Sequence, residues 1–260
     1  MGARSAPRVA WVTGASSGIG EALALRLARE GWQVAASARS AGVLNRLAAA
    51  NDAISAFPLD VSDRHAVRNA AIAIEAALGP IRLAVLNAGL WQKMGAADFS
   101  ADICEHIWCV NYAGVANCLE AVMPSMMARG EGHIVVVASL SGYAGLPGAA
   151  AYGPTKAALI NLAECLKPEL DRAGVRLQIV NPGFVATRMT RSNDFSMPHL
   201  MSAEAAAQAI AKGLASARFE IRFPAPLVAR LRLLRTLPYP LFFRLTRRLI
   251  GPGPGRSGAA

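Results

Sequence analysis

"RVAWVTGASSGIG", residues 8–20, is the stretch from which the rest of the chain can be read. Val9 to Val12 form an unbroken apolar run with β-branched and aromatic members, the pattern of a strand buried on both faces. Gly14, Gly18 and Gly20 follow at once, and "IGEALALRLAREG" (19–31) then carries helical spacing and stops at Gly31. Glycines in such a turn let the backbone approach a pyrophosphate. The amides and dipole at the helix N-terminus stabilise its charge. Three glycines alone are a weak signal. With a strand before them and a helix after them, they point to dinucleotide binding.

The same rhythm continues outward. "WQVAASAR" (32–39) reads as a second strand and "GVLNRLAAA" (42–50) as the helix after it. Residues 54–61 and 81–89 read as the third and fourth strands with a helix over 63–78 between them, and 133–142 and 175–183 as the fifth and sixth. Strands alternating with helices predict α/β architecture: one doubly wound Rossmann domain with a parallel sheet. Its expected span is 1–217, followed by a short C-terminal amphipathic helical extension over 218–250. Pro168 should kink or break the helix before the sixth strand. The tail "GPGPGRSGAA" (251–260) has no apolar residue larger than alanine and is expected to be disordered.

Composition narrows the class. The 260 residues are 53% hydrophobic, much of it alanine, yet no apolar run reaches the length of a membrane-spanning helix. No secretory leader is evident at the start, and Ala6 stands where a myristoylation signal needs Ser or Thr. Cys104, Cys109, Cys118 and Cys165 show no metal or CxxC spacing, which suggests a reduced, cytoplasmic protein. The net charge of +10 is uneven: residues 218–260 hold nine arginines against Glu220, a net of +8, which leaves +2 for residues 1–217. That placement argues against a broad nucleic-acid-binding face.

Two local features bear on chemistry. An acid at the end of the second strand would hold the adenosine ribose and favour NAD. Arg39 stands there instead, and a guanidinium can grip a 2′-phosphate in a bidentate, charge-assisted way, so NADP(H) is the expected cofactor. The alternative is that Arg39 only stacks on adenine. Further on, "AAAYGPTKAAL" (149–159) places Tyr152 and Lys156 one helical turn apart. A cation beside a phenol lowers its pKa and would make it a tuned general acid/base. The plainer reading is a half-exposed tyrosine and a solvated lysine.

Taken in order, "TGASSGIG" (13–20), "LDV" with Asp60, "NAG" (87–89), Asn111, Ser139, "YGPTK" and "NPGFVAT" (181–187) resemble the short-chain dehydrogenase/reductase family. The resemblance implies a catalytic set of Asn111, Ser139, Tyr152 and Lys156. In it Tyr152 is the acid/base, and Lys156 lowers its pKa and bonds the nicotinamide ribose. Ser139 donates to the substrate oxygen, and Asn111 holds a water that links Lys156 to solvent. It also implies cofactor contacts from Ser16, Ser17 and Ile19 beside the glycines, and from Asp60 and Val61 at the adenine. Asn87, Ala88 and Gly89 would follow near the ribose, with Pro182, Gly183, Val185 and Thr187 at the nicotinamide. Asp60 has a second reading as a helix N-cap. Homodimers or homotetramers, paired through the helices bearing Asn111 and Tyr152, are the family's habit.

The loops after strands four, five and six offer Trp91, Met94, Leu140, Tyr143, Leu146, Phe184, Met189, Phe195, Met197 and Met201 as pocket walls. They suit an apolar ketone, aldehyde or secondary alcohol. Arg188 and Arg191 are anion-binding candidates or plain surface arginines. His199 has no partner at metal-ligand spacing, and no metal is expected. In the extension, Leu227, Leu231 and Leu234, then Leu241, Phe242, Leu245 and Leu249, form helical stripes against Arg232, Arg235, Arg244, Arg247 and Arg248. Residues 224–250 could dock on an anionic membrane, cover the substrate mouth or meet a second subunit. Two functions stay open: an NADP(H)-dependent oxidoreductase, or an NADP(H)-binding sensor that engages a partner or membrane through these helices.

Overall fold

A computed structural model describes residues 8–191 and 193–250, so the glycine-rich tail and the first seven residues lie outside it. In chain order the elements begin β1 (Val9–Thr13), α1 (Gly18–Arg29), β2 (Gln33–Ser37), α2 (Ala41–Ala49), β3 (Ile54–Ala56), α3 (Arg64–Leu78) and β4 (Ile81–Leu86). Next come α4 (Ala101–Trp108), a π-helical turn (Cys109–Ala113), α5 (Gly114–Arg129), β5 (Gly132–Val137), a 3-10 turn (Leu140–Gly142), α6 (Tyr152–Arg172) and β6 (Val175–Pro182). The chain continues through β7 (Val185–Ala186), β8 (Met201–Ser202), α7 (Ala203–Leu214) and β9 (Glu220–Phe223). It ends in α8 (Ala225–Arg235), α9 (Tyr239–Thr246) and a 3-10 turn (Arg247–Leu249).

Seven strands form one parallel sheet in the order β3-β2-β1-β4-β5-β6-β9. Alternation within each strand feeds two cores. Val9 and Trp11 of β1 and Ile134 and Val136 of β5 pack with Ile74, Leu119 and Leu159 from α3, α5 and α6. Ala10 and Val12, with Val135 and Val137, pack with Leu23, Leu44 and Ile210 from α1, α2 and α7. Both faces are covered, which is why β1 reads as continuous apolar sequence.

Two expectations need correction. Residues 218–250 do not all lie in a helical extension, because Glu220–Phe223 become the seventh strand beside β6. The alternation of buried Ile221 and Phe223 with Glu220 and Arg222 is that of an edge strand, too short to register against the arginine-rich sequence after it. Of the two outcomes expected at Pro168, a kink or a break, the break does not occur, because the helix before β6 runs through Pro168 to Arg172. Pro168 deprives only the carbonyl of Glu164, and both residues are exposed, so water can take the missing bond.

The indole of Trp11, fully buried in β1, donates to the Ser37 hydroxyl at 2.9 Å. Ser37→Ala would leave that N–H buried without a partner. A loss of about 1–3 kcal/mol is expected in urea unfolding, the penalty for orphaning a buried donor.

Candidate active site

The strand order reverses between β1 and β4, and ligands of open parallel sheets bind at the carboxyl ends of strands at such a switch. Thr13 fastens this seam. Its hydroxyl accepts the backbone N–H groups of Asn87 and Ala88 at 3.0 and 3.1 Å. The Asn87 amide returns a bond to the Thr13 carbonyl at 3.0 Å. Thr13 has no separate role in the sequence reading; a hydroxyl closing a strand terminus was the available clue.

The glycines are required by contact. Gly14 sits at φ +69°, and a Cβ on it would lie 2.9 Å from the Ala88 Cα. A Cβ on Gly20 would come 2.3 Å from the carbonyl oxygen of Gly14. Gly18, at φ +60°, faces Thr187, whose Cγ2 would lie 2.7 Å from an added Cβ. The turn thus brings Thr187 over the start of α1. Ser16 and Ser17 line this turn half-buried, and Ile19 packs on the α1 side core. Such a cradle, with no side chain between the helix N-terminus and the crevice, fits a pyrophosphate.

Arg39 lies exposed just beyond β2. Asp60 is held below the usual carboxylate range, chiefly by the hydroxyl of Ser62, with Arg39 contributing. The cap of α3 is Asp63, whose side chain accepts from Ala66 N at 2.9 Å, so Asp60 is not the cap. Asp60 instead bonds Ser62 N at 2.9 Å in a local turn. Val61 is buried against Gly114, and its carbonyl accepts from Asn117 at 3.0 Å.

Tyr152 opens α6 and Lys156 follows on the same face, with its Nζ 5.5 Å from the phenol ring centroid. Lys156 is 97% buried and donates to the Val137 carbonyl at 2.9 Å, so it is no solvated surface lysine. Its Nζ would be 3.6 Å from a Cβ at Gly89. Ser139, in extended conformation two residues past β5, accepts from Ser141 N at 3.1 Å. The expected lowering of the Tyr152 pKa by Lys156 is not found. Burial pushes the phenol up to about 12, and hydrogen bonding with Ser139 opposes this only in part. Burial also pushes Lys156 down to about 8. Desolvation outweighs the pairing of the two groups.

Asn111 is fully buried in the π-helical turn, a feature that often marks functional sites. Its amide accepts from Leu90 N at 2.7 Å and donates to the Leu90 carbonyl at 3.0 Å and the Thr155 hydroxyl at 3.2 Å. It therefore pins the segment after β4 to α6 beside Lys156. Pro182 ends β6 buried, Val185 is buried in β7, and Gly183 lies under Leu227 of α8, 2.9 Å from where its Cβ would be.

The loops close on Tyr152 with aromatic groups. Trp91 stands edge-on to its ring at 5.1 Å, Phe195 lies 6.4 Å from Trp91, and Phe184 lies 6.0 Å from Phe195. Trp91 donates to Asn193 at 2.9 Å, and Lys93 pairs with Asp194 at 2.7 Å, tying the β4 loop to the β6 loop. Leu146, Met197 and Met201 are half-buried, and Met189 is exposed. Three expected wall residues serve elsewhere. Met94 bridges to Ala149 and is buried with Ile107 and Ala151, whereas Leu140 and Tyr143 are buried under Leu227 and Val228 of α8. Arg188, Arg191 and His199 are exposed, and among the described residues no three His, Cys, Asp or Glu side chains gather as metal ligands.

Residues 8–196 match the family model for short chain dehydrogenases. The chain belongs to that family. An uncharacterised oxidoreductase of Myxococcus xanthus is 39% identical, the match covering 93% of this chain and 97% of that one. One of Staphylococcus epidermidis is 33% identical over 80% of this chain and 90% of its own. A crystal structure of a short-chain dehydrogenase from Streptomyces avermitilis superposes with a TM-score of 0.81 at 27% identity, covering 93% and 96% of the two chains. Membership makes the protein an oxidoreductase that works with a nicotinamide cofactor, NAD(H) or NADP(H).

Two outcomes follow from this geometry. Gly20→Ala should abolish dinucleotide binding in calorimetric titration, because the methyl group displaces the Gly14 carbonyl. Lys156 is depressed from 10.5 to about 8 in the folded state, so between these values the unfolded chain binds the extra proton. Stability should therefore rise from pH 8 toward 10.5 through this group, and Lys156→Met should flatten that rise in urea melts.

Proposed function

We propose that the protein is an NADP(H)-dependent carbonyl reductase or alcohol dehydrogenase for apolar substrates. The observation that carries this reading is the Tyr152 hydroxyl, set with Ser139 and buried Lys156 beneath the aromatic wall of Trp91, Phe184 and Phe195. A bound nicotinamide would supply the hydride to a carbonyl carbon, or accept it from a carbinol carbon. Tyr152 then gives the carbonyl oxygen its proton, or removes it in oxidation. A hydrogen bond from Ser139 to that oxygen stabilises the charge that develops on it.

A phenol held near 12 gives up its proton reluctantly, and a cationic Lys156 one turn away favours the phenolate as the proton leaves. Gly14, Gly18 and Gly20 would hold the pyrophosphate and Asp60 the adenine side, with Asn87 to Gly89 at the ribose and Thr187 at the nicotinamide. Arg39, exposed and near an acid rather than replaced by one, suits a 2′-phosphate. The enzyme reading is supported over the sensor by Ser139 and Lys156 beside Tyr152, with Asn111 bonded to α6 one residue before Lys156.

Tryptophan quenching separates these claims, because Trp91 packs on Tyr152. NADPH should bind about 10- to 100-fold more tightly than NADH, the range of a charge-assisted bond, and Arg39→Asp should invert the order. Equal affinities in the unaltered protein would sink the NADP(H) assignment. Tyr152→Phe should retain cofactor binding while losing at least about a hundredfold in turnover of an apolar ketone. Undiminished turnover in that variant would remove Tyr152 as the acid/base.

A further inference from the structure

The end of the C-terminal extension presents a surface that the fold leaves uncovered. Leu241, Phe243 and Leu245 are 50, 51 and 42% exposed, and Leu249 and Ile250 are 61 and 60% exposed. So dense a group of large apolar side chains on a surface marks an interaction site. Phe242 and Thr246 turn inward from α9, and Tyr239 stacks on Phe243 with ring centroids 5.6 Å apart. Arginines are interleaved with these groups: Arg244, Arg247 and Arg248 on this segment and Arg230 and Arg235 on α8 are all exposed. The nearest acid in sequence, Glu220, is already bonded to Tyr143, Asn181, Arg222 and Arg232.

Charge decides what can cover this patch. A second copy related by a two-fold axis would set the cationic surface against itself, and among the described residues none of these arginines is in an ion pair. A nucleic acid would accept the arginines but leave leucines and phenylalanine against phosphate and water. An anionic bilayer answers both features, since its headgroups take the guanidinium groups and its acyl boundary takes the apolar and aromatic side chains. No described helix is long and apolar enough to cross a membrane, so the contact is peripheral.

We propose that α9 and the turn after it dock the protein on an anionic lipid surface. A cleft of about 350 Å³ lies between this segment and the loop that joins Ser139 to Tyr152, lined by Gly145, Pro147, Phe242, Phe243 and Thr246 among others. A lipophilic molecule leaving the bilayer meets this cleft beside the loop that carries the site. The docking itself does not depend on the cofactor or substrate assignment above.

Co-sedimentation of the full chain with phosphatidylcholine vesicles, with and without phosphatidylserine, tests the proposal. Binding is expected only with phosphatidylserine, released by high salt, and weaker by about a hundredfold in Arg244→Ser/Arg247→Ser/Arg248→Ser. Each basic side chain near an anionic leaflet contributes roughly a factor of five. Leu241→Ser/Leu245→Ser should also weaken it at low salt, with unchanged thermal melts showing that the variants are folded. Salt release of the unaltered protein needs no variant at all. The proposal is overturned by equal binding to both vesicle types, by no binding, or by a triple variant that binds as well as the parent. A concentration-dependent dimer lost in Leu241→Ser/Leu245→Ser would equally overturn it, giving the patch to a second copy.

Discussion

The bond on which the site depends is the one between Thr13 and the end of β4. A parallel sheet holds its strands together along their length, but at the carboxyl ends the ladder stops and the chains diverge into loops. Here the divergence is checked at once, because one hydroxyl accepts two backbone N–H groups and the Asn87 amide bonds back to Thr13. The spacing this sets between the β1 turn and the segment after β4 is so small that Gly14 and Gly20 admit no Cβ. The same seam directs residues 87–90 toward Asn111, which pins Leu90 to α6 and so fixes the depth of Lys156. The glycine turn and the helix that carries Tyr152 and Lys156 are thereby positioned from one junction.

Electrostatics in this pocket are governed by the loss of water more than by the pairing of charges. Lys156 is carried inside by α6 and, among the described residues, hydrogen-bonds the Val137 carbonyl alone, so its ammonium is costly and its pKa falls to about 8. Tyr152 is raised for the same reason. The two shifts drive the values apart and reverse their ordinary order, leaving the phenol near 12 and the amine near 8. Any anionic charge developing at the Tyr152 oxygen would favour a protonated Lys156 in turn.

Most of the fold was readable because its signals are local. The apolar run of β1, its glycine turn and the alternation after it depend on neighbours within a dozen residues. The readings that failed depend on distant partners. Glu220–Phe223 joins the sheet only because the edge of β6 is free, and Met94 is core only because Ala149 bridges to it. Asp60 is a plausible cap in sequence, and only the backbone path after β3 gives the cap to Asp63. The motif residues were named from type and order alone. Their pKa values were not, because burial is a property of the packed chain.

Glu220 explains how so basic an extension folds back on the domain at all. Burial alone would raise its pKa, yet hydrogen bonds from Tyr143, Asn181 and Arg222 hold it low and keep it charged. Tyr143 brings the loop after Ser139 to it, Asn181 brings β6, and Arg232 brings α8. Leu227 and Val228 then close over Leu140 and Phe184, so that the first half of the extension becomes a wall of the catalytic domain. Past α8 this anchor is out of reach, and among the described residues the ion pairs of the extension all converge on Glu220. The arginines of α9 thus remain at the surface for want of a second acid. The extension divides at Pro238 into a half anchored to the domain through Glu220 and the Leu140 cluster and a half without such an anchor.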